Sequence, residues 1–333
     1  MNKSPFITVI IKTYNEQAGI AKTISSVRAA MGHYPYKIIV ADSLSTDETA
    51  KVAIEAGATV VSLVHAHQRC CGIGHQLGYQ YSEGDYLLLL DGDMELEAGF
   101  VDSAVSFLQQ NSAYAGVAGR VEMDEASNYE FESRKQRLNS IYPTGDVDHL
   151  AGGGLYRRSA IETIGYLTNR NLHAYEEAEL GIRLQSAGFK LHRLDIPYFF
   201  HTSYDLSTFE LLKRRWKSKY LCGPGELIRS SLGQPYCLTC VKKVKNEVIF
   251  ASYLLVVLLG FILLSWPMSL LLLTPLALFF TLKSIRNRSM VAASFSVINL
   301  TLYSAGLVRG LIQPTVDPAA QIESKVMNDQ ENV

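Results

Sequence analysis

Asp91-Gly92-Asp93 sets two carboxylates on either side of a glycine. Held at the end of a strand, such a pair suits a hard divalent cation that also takes phosphate oxygens. The glycine permits a tight bend and a close ligand approach. Glu176-Glu177 is a second acidic pair, placed where a helix with Leu180, Leu184 and Ala187 on one side begins. A carboxylate there is oriented by the helix terminus and tuned by its neighbour, as a general base requires. The plainer alternative is a capped, acidic surface helix. His201, in Phe199-Phe200-His201-Thr202, ends an apolar strand-like run. A histidine there either packs and hydrogen-bonds or serves as a ligand.

These residues need elements to position them, and the first half of the chain alternates strand and helix patterns, as a mostly parallel α/β sheet does. Ile7–Ile11 reads as a buried strand ending at Thr13-Tyr14-Asn15-Glu16, followed by a helix with Ile20, Ile24 and Val27 on one face. Lys37–Ala41 is a second strand, ending at Asp42. Ser45-Thr46-Asp47-Glu48 has capping-box spacing, which predicts a helix from there to Gly57. Ala58–Val64 is a third strand. Ile73, Leu77 and Tyr81 mark a helix stopped by Gly84, and Tyr86–Leu90 has the unbroken apolar profile of a central strand. Ligands of such sheets collect beyond the carboxyl ends of the strands, where Asn15, Asp42 and Asp91 all fall.

The composition changes near Cys240. From Val248 to Leu282 there is no charged residue, and Trp266-Pro267 interrupts the run. Two helices meeting there are expected to cross a hydrocarbon core of ~30 Å. Met290–Ile312, with Asn299 and Arg309, is a weaker third span; the alternative is a buried helical hairpin of a soluble domain. Lys242, Lys243 and Lys245 precede the first span, and Lys283, Arg286 and Arg288 follow the second. Both clusters belong on the cytoplasmic side if the first two spans form a hairpin. The tail after Pro314 lies outside if the third stretch crosses and inside if it does not. The expected organisation is a cytoplasmic domain over 1–230, a basic linker over 231–247, a membrane region of two to three helices over 248–312, and a polar tail over 313–333. The localisation implied is the cytoplasmic (inner) membrane, multi-pass.

Several ordered segments carry a family resemblance: Ile7–Glu16 (ITVIIKTYNE), Val40–Thr49 (VADSLSTDET), Gly84–Asp93 (GDYLLLLDGD), Gly152–Arg158 (GGGLYRR) and Glu176–Arg183 (EEAELGIR). Together, over roughly residues 5–230, they resemble family 2 glycosyltransferases of the GT-A fold. The resemblance implies an inverting transfer from a UDP- or GDP-linked sugar to a polyprenyl-linked or other membrane-associated acceptor, with Mg²⁺ or Mn²⁺ bridging the diphosphate. Thr13, Asn15 and Glu16 then line the nucleotide pocket, Asp42 meets the base, and Asp91 approaches the ribose or the metal. Asp93 is the more direct metal ligand, and His201 completes the metal site or contacts phosphate. Arg69, with Gly72, resembles the segment that closes over the diphosphate. Glu177 takes the position of the catalytic base, with Glu176 and Glu179 as alternatives. The chain departs from the family pattern at Lys12 (usually proline), Leu44 (usually glycine) and Glu177 (usually aspartate).

Other features argue against other classes. A formal charge of −1 over 333 residues gives no global attraction to nucleic acid. Five cysteines, Cys70, Cys71, Cys222, Cys237 and Cys240, are an odd number without a second ligand pair for zinc. No N-terminal signal peptide is evident. Gly72-x-Gly74-x-x-x-Gly78 has the wrong spacing for a dinucleotide fingerprint. Lys213, Arg214, Arg215 and Trp216 read as a basic amphipathic surface suited to lipid headgroups. The competing functions are direct transfer to polyprenyl phosphate and a catalytically silent membrane scaffold.

Overall fold

A computed structural model describes residues 4–123, 141–201 and 208–327. They form two compact units: Met1–Leu211 together with Val316–Val333, and Leu212–Thr315. The second unit is thus inserted, in sequence, between parts of the first.

The first unit is a mixed sheet of ten described strands with flanking helices. Its order is β10-β3-β2-β1-β4-β8-β6-β9-β5, and β7 adds to β9. The strands are β1 (Ile7–Thr13), β2 (Tyr36–Asp42), β3 (Thr59–Leu63), β4 (Tyr86–Asp91), β5 (Met94–Leu96), β6 (Tyr114–Met123), β7 (Gly145–Val147), β8 (Gly154–Arg157), β9 (Lys190–His201) and β10 (Ser324–Met327). Strands β3, β2, β1 and β4 run parallel, as the strand–helix alternation requires. The central pair, β1 and β4, is buried almost throughout. Each fully buried Ile or Leu there contributes about 1.5–3 kcal/mol. Helices α1 (Ile20–Ala30), α2 (Thr49–Glu55), α3 (Cys71–Gln80) and α4 (Phe100–Gln110) follow the first strands, and α5 (Arg158–Ile164) and α6 (Glu176–Ser186) follow β8.

One expectation about the first unit changes. The segment Ser45–Glu48 does not form a capping box. Ser45 Oγ instead accepts from the Asn15 N–H at 2.9 Å, and α2 begins only at Thr49, whose N–H donates to Asp47 Oδ1 at 3.0 Å. The glycines Gly74 and Gly78 also acquire a role. A Cβ on Gly78 would meet Ile10 Cγ2 at 2.2 Å, and one on Gly74 would meet Lys12 Cβ at 2.7 Å. The spacing therefore lets α3 lie directly on β1.

The end of the chain returns to this unit. Strand β10 pairs antiparallel with β3, Ile322 is buried, and Arg170 donates to the carbonyls of Ala320 and Gln321.

The second unit is helical: α8 (Gly223–Ser231), α9 (Cys237–Lys243), α10 (Lys245–Leu263), α11 (Trp266–Leu271), α12 (Thr274–Asn287) and α13 (Met290–Leu311). An amphipathic helix α7 (Thr208–Lys217) spans the boundary between the units. Three apolar stretches, Lys245–Leu263, Trp266–Asn287 and Met290–Leu311, are long and apolar enough to cross a membrane. The chain breaks at Ser265 as the Trp266-Pro267 signal predicts. A second break at Leu272-Leu273, just ahead of Pro275, divides the middle stretch. Within this unit the Ser304 hydroxyl donates to the Glu247 carbonyl at 3.2 Å. Gly306 and Gly310 let α13 approach the backbone at Leu221 and Cys222, where a Cβ would sit 2.0 and 2.1 Å from carbonyl oxygens.

Candidate functional site

Strand register assembles the site. Thr13 stands opposite Asp42, and Lys12 opposite Asp91, at the carboxyl ends of β1, β2 and β4. The Asp91-Gly92-Asp93 turn is fixed through its middle residue. Gly92 N–H donates to the Lys12 carbonyl at 3.1 Å, and the Gly92 carbonyl accepts from Thr23 Oγ1 at 2.9 Å. A Cβ on Gly92 would lie 2.8 Å from Thr13 Cγ2, so the glycine is required by close packing against β1. Thr13 is buried, and its hydroxyl has no hydrogen-bond partner. A buried orphan hydroxyl costs free energy until a ligand satisfies it.

The loops beside this edge hold each other. Asn15, at φ 57°, accepts from Thr46 N–H at 2.8 Å, and Glu16 N–H donates to Thr49 Oγ1 at 2.8 Å. Asp42 is 2% exposed and accepts from Ser45 N–H and, at 3.0 Å, from Ser62 Oγ. Arg69 lies 3.9 Å over the Tyr14 ring and donates to the Ser43 and Leu44 carbonyls at 2.7 and 3.0 Å. It fixes the loop in which Leu44 adopts φ 57°.

The acidic pair of α6 comes to the same edge. Glu176 forms an ion pair with Lys12 Nζ at 3.1 Å, and the same ammonium lies 3.3 Å from Asp91 Oδ1. Glu177 Oε1 accepts from both Gly152 N–H and Gly153 N–H at 2.9 Å. Both glycines are left-handed, at φ 81° and 82°, which turns their amides toward one acceptor. Burial and the neighbouring Glu176 push the Glu177 carboxyl above its ordinary value. His75 is buried 3.9 Å from Asp91, with Nε2 3.1 Å from the Leu90 carbonyl. Burial and the nearby Lys12 lower it to about 4, so it is neutral at pH 7. Glu179 is not part of this edge; it is buried, paired with Arg183 at 2.8 Å and bonded by the Tyr166 hydroxyl at 2.7 Å. The His201 backbone ends β9 opposite Met94, and its side chain lies outside the described residues.

Among the described residues no group of three His, Cys, Asp or Glu side chains is placed to cage an ion. Asp91 and Asp93 nonetheless bring two carboxylates to the end of β4. Mg²⁺ characteristically binds through one or two carboxylates plus substrate phosphates. The residues fit an ion held jointly with a diphosphate.

The carboxylates and strand ends are legible in the sequence, whereas the Lys12 bridge and the Gly152/Gly153 amide pair arise only from tertiary contacts. Lys12 was visible only as a departure from the family pattern, and the amide pair only as a glycine run.

The fold is a mixed α/β sheet with flanking helices of GT-A type. The family model described as Glycosyl transferase family 2 matches residues 8–165. Protein RfbJ of Shigella flexneri is 34% identical over 125 residues, covering 37% of this chain and 92% of that protein. The chain belongs to glycosyltransferase family 2. It is also 26% identical over 171 residues to the low-salt glycan biosynthesis hexosyltransferase Agl6 of Haloferax volcanii, a match covering 48% of this chain and only 40% of that relative. The mannosyltransferase PcManGT from Pyrobaculum calidifontis, solved in complex with GDP-Man and Mn²⁺, shares the fold at TM-score 0.55 and 16% identity, over 93% of this chain and 88% of that one. Glu176 and Glu177 lie beyond the family-matched segment.

Proposed function

We propose that the chain transfers a sugar from a nucleoside-diphosphate donor, UDP- or GDP-linked, to a membrane-associated hydroxyl acceptor in one displacement with inversion. The supporting observation is that a single ammonium, Lys12, reaches both Asp91 of the donor edge and Glu176 of the α6 pair. Carboxylates expected on the donor and acceptor sides are therefore bridged by one ammonium.

Thr13, Asn15, Glu16, Asp42 and Arg69 line the nucleotide side. Asp93 and Asp91, with His201, would hold Mg²⁺ or Mn²⁺. Bound there, the ion neutralises charge on the departing diphosphate. Glu177 takes the proton of the acceptor hydroxyl as its oxygen bonds to the anomeric carbon. The bond from that carbon to the phosphate oxygen breaks, and its electron pair leaves with the nucleoside diphosphate. The two glycine amides hold Glu177 by one oxygen, leaving the other for the proton.

The bilayer is the expected partner of the three apolar stretches, with the catalytic unit on the cytoplasmic side of the inner membrane. The chain leaves the first unit after Leu211 and returns to it at Val316, and β10 pairs within that unit. Both ends of the insert then lie on one side of the bilayer, so complete crossings are even in number, and one apolar stretch does not traverse.

Donor hydrolysis and transfer by the purified full chain, over a panel of UDP- and GDP-sugars with Mn²⁺ and with EDTA, tests the proposal. EDTA-sensitive release of one nucleotide is expected. No release from any donor would favour a silent scaffold.

A further inference from the structure

The Lys12 side chain is built into the site. It faces Asp91 across paired strands, and its side chain is 18% exposed. Its stem packs where Gly74 carries no Cβ; one there would lie 2.7 Å from Lys12 Cβ. Its ammonium is held between two carboxylates, 3.3 Å from Asp91 Oδ1 and 3.1 Å from Glu176 Oε1. Lys12 is thus a fixed positive charge among the carboxylates expected to receive a divalent ion.

We propose that Lys12 is a resident counter-ion that makes metal entry conditional on the donor: the divalent ion is accepted only together with a diphosphate. This rests on the glycosyltransferase reading above. An ion arriving alone at Asp91 meets an ammonium 3.3 Å behind the carboxylate. Like-charge repulsion across two contact distances, even at high effective dielectric, weakens binding about tenfold or more. A diphosphate reverses the sign. With a free nucleoside diphosphate the complex is net negative and the same ammonium attracts it; with the sugar nucleotide it is net neutral and the repulsion is gone. Lys12 then acts as a specificity-determining residue, favouring donor-bound metal over free metal.

The test measures Mn²⁺ binding to the detergent-solubilised full chain by electron paramagnetic resonance of free Mn²⁺, alone and with UDP or GDP. The variants are Lys12→Met and Lys12→Gln; the glutamine keeps a donor for Asp91 and Glu176 should the methionine variant not fold. In the unaltered protein, Mn²⁺ alone is expected to bind weakly and at least about tenfold more tightly with one of the nucleotides. In either variant, Mn²⁺ alone should bind about tenfold more tightly than in the unaltered protein, and the nucleotide-dependent gain should shrink. Equal affinity for Mn²⁺ alone in a folded variant and the unaltered protein, with nucleotide-dependent binding preserved in both, overturns the role of Lys12 and leaves the transferase reading standing. No Mn²⁺ binding in any protein with either nucleotide overturns both.

Discussion

Glu177 is tied to Gly153 by a 2.9 Å hydrogen bond from the glycine amide, and the same carboxylate oxygen takes the Gly152 amide. The bond joins the start of α6 to the turn before β8 and fixes a carboxylate beside the donor edge. Glutamine can keep its carbonyl oxygen on both amides but cannot accept the acceptor's proton. Glu177→Gln is therefore expected to fold normally while kcat falls about 10²- to 10⁴-fold. Steady-state transfer kinetics and a thermal melt check both halves. Substantial surviving turnover with a polyprenyl phosphate acceptor would instead support transfer to that anion, which needs less from a base.

The pH profile should carry the same residue's signature. Burial and the adjacent Glu176 raise Glu177 above its ordinary value, and the proposed base acts in its ionised form. Activity should fall as pH drops through that raised value, so the acid limb of kcat/KM lies above the ordinary carboxylate range. Glu176→Gln removes a like charge and should move the limb to lower pH. An unmoved limb in this variant would assign it to another group.

Gly153→Ala tests the amide pair from the backbone side. The residue sits at φ 82°, and an added Cβ would lie 2.2 Å from the Leu89 carbonyl oxygen. The left-handed conformation and the backbone clash should together cost at least about 2 kcal/mol of stability. Chemical denaturation of the full chain in detergent reads this directly.

These devices mark where sequence reading stopped. The strand–helix alternation through Asp93 was legible because β1 and β4 are buried on both faces and read as unbroken apolar runs. The Ser45 capping box failed because tertiary contact with Asn15 took the serine hydroxyl. The role of Lys12 depended on strand register, which places it opposite Asp91 and cannot be read from one strand alone. β10 went unseen because Ser324–Met327 is short and half polar; its place is set by backbone pairing to the edge of β3.

That edge pairing makes a topological prediction. Ala319 and Lys243 are both exposed and lie on either side, in sequence, of the three apolar stretches. Single cysteines at these two positions, in a cysteine-free background, should be labelled from the same side by a membrane-impermeant maleimide. Labelling from opposite sides would mean an odd number of crossings and would contradict the pairing of β10 with β3.

Asp91 and Asp93, at the carboxyl end of β4, are the proposed seat of the ion and the diphosphate. The most direct measurement is metal-dependent donor turnover by the full chain with both aspartates changed to alanine. A loss of about 10³-fold or more, with the fold retained by thermal melt, is expected. Full activity in that double variant would contradict it.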